Sequence, residues 1–214
     1  MAKVAVVRRL DLPAEGEFEV PGFGGGPPQT APAMSNARLG LFMFLGAEAM
    51  FFAGLIGSFL VFRLGSDVWP PASQPRLPVG VTGVNTLILL LSGVTAQWTL
   101  RSVRLGNTAG LVRWLGYTAA LGVVFLGVQG FEWIRLVQFG LKISSGTYGS
   151  TFYTLVGFHA FHVVGAVLWL ITVLVQARAG RFSARSHTGV EIFSMYWIFV
   201  VVLWPLLYGL VYLF

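Results

Sequence analysis

Five apolar runs divide most of this sequence, and each is long enough to cross a bilayer. A hydrocarbon core about 30 Å thick needs roughly 20 apolar residues in a helix. The runs cover about 38–64, 78–101, 112–139, 149–177 and 189–214. In lipid the backbone must satisfy its own hydrogen bonds, so a span is a helix or part of a closed barrel. Runs of this length are helical, and the chain is read as an all-α, polytopic membrane protein with five transmembrane helices. Composition agrees: only 10% of residues are charged, against roughly 25% in soluble domains.

The charge pattern sets an expected topology. The net charge of +6 comes from basic residues in short segments between the apolar runs, which argues against a nucleic-acid surface. Ten of the fourteen Lys and Arg fall before the first run, between the second and third, or between the fourth and fifth. Arg63, Arg76, Arg135 and Lys142 fall on the other face. Basic connectors stay in the cytoplasm, so the N-terminus is expected inside and the C-terminus outside. The chain has no cysteine, which excludes disulfides, thiolate metal sites and a catalytic thiol. Residues 1–37 contain PGFGGGPPQTAPAM and no sustained apolar core of a signal peptide. They are expected to form an extended arm, either a free tail or a strap on a partner subunit. Residues 38–214 would be the bundle.

Polar groups inside the runs narrow the function. Glu48, in FLGAEAMFFAG, is the one charged residue between Arg38 and Arg63. An ionisable group there needs a partner or a task. Glu48 is expected to be a neutral acid or to pair with a histidine of the fourth helix. Its role is either proton exchange or an interhelical hydrogen bond. His159 and His162 are three residues apart and share a helix face. Only His187 remains to complete a metal site, so these two are read as interhelical partners. Gln129 and Glu132 lie near the end of the third helix and are read the same way. Glu191 opens the fifth helix, where the dipole favours an acid. Pro205 predicts a kink near Val201 and Val202. Ala49, Ala53 and Gly57, widened by Gly54 and Ser58, form a small-residue stripe that lets another helix approach. Neither a nucleophile–base arrangement nor an internal repeat is found, so the chain reads most simply as a subunit. A proton-coupled transporter using Glu48 and a histidine-bound metalloenzyme are the rival classes.

Several segments, taken in order, resemble subunit III of the haem–copper oxidases. They are GAEAMFFAG, VNTLILLLSGVT, QGFEWIRL and, most extensively, ISSGTYGSTFYTLVGFHAFHVVG at residues 143–165. The resemblance covers about 38–214 and matches the short five-helix bacterial form. It implies a non-catalytic subunit in the bacterial cytoplasmic membrane. It also implies subunit I as a direct partner and subunit II in the same complex. Haem and copper would lie in those partners, with no metal or cofactor on this chain. It further implies phospholipid in a cleft between the first two helices and the rest. It puts Glu48 on the family's carbodiimide-reactive acid, beside the subunit that takes up protons. Arg178 and Arg181 are candidates for lipid headgroups, or else topology-setting charges. The last helix departs from the pattern: Ile198 and Val201 in MYWIFVVVLWP stand where the family has a histidine and an aspartate. That leaves open a nitric oxide reductase partner, or an oxidase joined to another respiratory complex.

Overall fold

The computed structural model describes residues 35–71, 75 and 77–214. The expected arm at 1–37 lies outside them except for its last three residues, which already cap and begin the first helix. Five helices long and apolar enough to span a membrane follow: α1 Asn36–Leu64, α2 Val79–Arg104, α3 Thr108–Gln138, α4 Gly146–Arg178 and α5 Thr188–Tyr208. A π-helical turn, Gly209–Leu213, extends α5. Helical geometry continues through Pro205. Hydrogen bonding changes character only at Gly209, beyond the expected point near Val201.

Short polar signals set the ends. The Asn107 side chain accepts from Gly110 N at 2.8 Å and starts α3. Three helices stop in the same way. Gly106, Gly140 and Gly180 take left-handed backbone angles. Behind each, an amide reaches back five residues: Asn107 to Ser102, Leu141 to Leu136 and Arg181 to Gln176. Only glycine adopts that turn without strain.

Two helices show opposite designs. The face α2 buries is small and polar: Thr82, Asn85, Ser92, Gly93, Ala96 and Thr99. Small side chains let backbones close up, and α2 packs most extensively on α3, then on α5. Its hydroxyls and amide tie these neighbours. Trp197 Nε1 donates to Ser92 Oγ at 3.2 Å, Trp204 Nε1 to Thr86 Oγ1 at 2.9 Å, and Asn85 Nδ2 to the Phe125 carbonyl at 3.1 Å. By contrast α1 fully buries only Leu41, Phe52 and Phe59. It rests on α4 and α5 and does not pair with α2. Large apolar side chains such as Met50 and Phe161 are 79% and 74% exposed, a surface suited to lipid or partner helices.

Candidate functional site

Glu48 lies near the middle of α1 and faces α4. Its Oε2 is 2.9 Å from His162 Nε2, with both side chains mostly shielded. The contact has ion-pair distance, but Oε2 makes no aligned hydrogen bond. The other ring nitrogen of His162, Nδ1, is 2.7 Å from the Phe158 carbonyl. A carbonyl can only accept, so this geometry assigns a proton to Nδ1. Nε2 is the ring nitrogen turned towards Glu48, and an imidazole beside it is a polar partner that makes an acid tolerable at this depth. Phe52 packs edge-on against His162, with ring centroids 5.1 Å apart, and Phe51 closes the side towards Phe158.

His159 lies elsewhere. It is fully buried and stacks on Trp204, with centroids 5.0 Å apart and planes 23° apart. Neither ring nitrogen has a hydrogen-bond partner. Of the two histidines read as interhelical partners, His162 reaches another helix through its contact with Glu48, and its hydrogen bond is to Phe158 of its own helix. His159 acts as a flat aromatic surface against α5. Three residues along a helix separate side chains by about 60°, enough to turn one ring towards α1 and the other into the core.

Gln129 does bridge helices, donating from Nε2 to the Tyr212 hydroxyl at 3.3 Å. Glu132 does not. It is buried, and its ion partner is Arg135 on the same helix at 3.6 Å. Arg178 and Arg181 are exposed at the end of α4. Among the described residues no three His, Asp or Glu side chains converge as a metal site.

Sequence reading undervalued Glu191. Its carboxylate is only 4% exposed and gathers two arginines and a histidine. Arg38 of α1 meets Oε2 through both Nε, at 3.1 Å, and Nη2. Arg104 of α2 reaches Oε1 at 3.1 Å, and His187 Nε2 is 3.3 Å from the same oxygen. One acid thus joins the ends of α1, α2 and α5. The available signal was the placement of Arg38, Arg104 and Glu191 at helix ends sharing one face.

Ile198 and Val201 stand over Gly93 of α2. A methyl group added there would meet Val201 Cγ1 at 3.1 Å and Ile198 Cδ1 at 3.5 Å. Aliphatic side chains at these positions form a close apolar contact between α5 and α2.

Known proteins agree with this architecture. The family model described as cytochrome c oxidase subunit III matches residues 23–214. The cytochrome c oxidase subunit 3 of Synechocystis sp. is 39% identical over 175 residues, which are 81% of this chain and 74% of the relative. That of Corynebacterium diphtheriae is 36% identical over 183 residues, covering 83% and 89%. The platypus protein, Ornithorhynchus anatinus, is 36% identical over 189 residues, covering 86% and 71%. With a family model matched over residues 23–214 and relatives 36–39% identical over most of its length, the chain belongs to the cytochrome c oxidase subunit III family.

Proposed function

We propose that this chain is the non-catalytic subunit III of a bacterial cytochrome c oxidase, in the cytoplasmic membrane with its N-terminus inside. It packs on subunit I, with subunit II in the same complex, and the partners carry the haem and copper. Its own tasks are to hold phospholipid, to flank the catalytic subunit and to support that subunit's proton uptake. The observation that carries this reading is the bareness of α1. Gly46, Gly54 and Gly57 have open space where a side chain would project, and Ala49 and Ala53 are exposed beside them. A spanning helix so little covered by its own chain is suited to a partner helix, and small residues permit close approach. Glu48 and His162 sit at the margin of that face. In this reading they are the acid–base pair of the chain beside the proposed partner.

The test is purification of the tagged chain from its native membrane in mild detergent. A haem–copper spectrum and a co-purifying subunit I are expected. A nitric oxide reductase partner would keep the family and change the chemistry. A colourless, partner-free chain would refute the subunit reading.

A further inference from the structure

At the Gly209 end of α5, polar side chains of α2 and α3 meet Tyr212 of the π-helical turn. Thr82, Asn85 and Gln129 are none of them more than 3% exposed, and Tyr212 is buried with them. Two hydrogen bonds fix the arrangement. Asn85 donates from Nδ2 to the Phe125 carbonyl, and Gln129 donates from Nε2 to the Tyr212 hydroxyl. Phe125 and Gln129 are about one turn apart on α3, so Asn85 and Gln129 work at the same turn. Thr82 lies just under a turn from Asn85 on α2 and neighbours the same Tyr212 hydroxyl.

The amide donors of this cluster are engaged, and its acceptors are not. Asn85 Oδ1 and Gln129 Oε1 have no partner within the chain, and neither does Thr82 Oγ1. A carbonyl only accepts, so Asn85 cannot turn over and pair its own oxygen with Phe125. Thr82 also departs from the other threonines of α2. Thr86, Thr95 and Thr99 each donate to a carbonyl three or four residues back, and Thr82 does not. Buried polar atoms in native proteins are paired with protein or with ordered water. The group that completes this cluster carries two donors and accepts one.

We propose that this corner of the bundle binds one water molecule. The water donates to Asn85 Oδ1 and Gln129 Oε1 and accepts from the Thr82 hydroxyl. Those are three hydrogen bonds, about the number that a buried water makes. It thereby joins α2 to α3 and, through Gln129 and Tyr212, to the turn that follows α5. The site is near a route of entry. Thr82 and Asn85 stand about 4.5 and 9 Å along α2 from Val79. Val79 and Tyr212 line a hollow of about 330 Å³ together with Arg63 and Tyr148, so Tyr212 lies between the hollow and the cluster. None of these contacts involves α1, and the site does not rest on the subunit reading.

Cryo-electron microscopy of the purified chain, with whatever partners accompany it, reads the site directly. One density peak within about 3.2 Å of all three atoms is expected. Thr82→Val keeps the shape and removes the hydroxyl, and it is expected to lose the peak; Thr82→Ser is expected to retain it. An empty site in a map that shows other buried waters overturns the proposal. So does direct bonding of the three atoms to one another, or a peak with six or more oxygens at about 2.3–2.6 Å, the shell of a cation. Solid-state NMR of the chain in bilayers gives a second readout. The Gln129 side-chain amide is expected to receive polarisation from a bound water, and Thr82→Val is expected to abolish that transfer. An unchanged transfer in Thr82→Val overturns the site with three bonds.

Discussion

Replacing Glu191 by glutamine removes one charge, keeps the side-chain shape, and tests what holds α1 in place. The carboxylate is 4% exposed, whereas Arg38 and Arg104 are 39% and 57% exposed. A fully buried pair costs about 3–5 kcal/mol when one partner is removed. Exposed arginines recover much of that from water, as surface pairs contribute only about 0–1 kcal/mol. The expected loss lies between, at about 1–2 kcal/mol, and it falls on a contact that α1 cannot replace. Between Leu41 and Phe52, α1 has no fully buried side chain. A loss of this size multiplies the detached population of its Arg38 end by about 5–30.

The chain's lack of cysteine makes the assay clean. Spin labels on Leu39→Cys and Leu105→Cys, both exposed, report the separation of α1 from α2 at the Glu191 end. Labels on Val61→Cys and Ile143→Cys, also exposed, report the opposite end. In Glu191→Gln the first distance distribution is expected to lengthen and broaden while the second stays fixed. An unchanged first distribution would refute the assignment of Glu191 as the tie between α1, α2 and α5. Equal broadening at both ends would show general destabilisation instead.

Three further substitutions probe other contacts. Glu48→Gln keeps a hydrogen-bonding group opposite His162 and should leave co-purification with the oxidase intact; loss of assembly would show that the carboxyl is needed for packing beyond its proton. Gly149→Ala would put a methyl carbon 2.2 Å from the Lys142 carbonyl oxygen, a backbone atom with little room to move. It should cost about 1–3 kcal/mol, read as a lower melting temperature in detergent, and an unchanged melt would contradict the α3–α4 turn described. Trp204→Phe removes the bond to Thr86 and thins the stack on His159; a loss of about 1 kcal/mol is expected, and no loss would show that the hydrogen bond has no net value.

The number of helices was legible because a bilayer imposes length on each run. Their ends were less so. The expected start of the third helix at about 112 falls four residues late, since Asn107 acts as a cap inside a polar connector. The face of Glu48 was legible, but not which histidine it meets. That depends on the rotation of α4, fixed where His159 stacks on Trp204 from another helix. Glu132 read as an interhelical partner because its depth was visible and the reach of Arg135 was not. Glu191 read as a first-turn acid because its arginines lie 153 and 87 residues away.

One pattern in α1 was open to view and explains how so bare a helix stays attached. Arg38, Leu41, Leu45, Glu48, Phe52, Leu55 and Phe59 are spaced alternately by three and four residues and are all shielded, with Ile56, Leu60 and Arg63 widening the strip at its far end. That spacing is one seam on an α-helix, the 3.5-residue repeat of closely packed helix pairs. In lipid, apolar side chains alone give little drive for helices to associate, because the tails are as apolar as leucine. The seam carries a specific tie at each of three depths. Arg38 binds Glu191 at one end, and Glu48 meets His162 at the centre. At the other end Phe59 packs edge-on against Trp69, which packs edge-on against Tyr148. These ties stand about 10 residues apart, or roughly 15 Å. With contacts confined to one seam, the rest of α1 stays open on both sides. One side carries the small residues Ala49, Ala53 and Gly57, and the other, with Phe42 and Leu45, lines a groove with residues of α2 and α5.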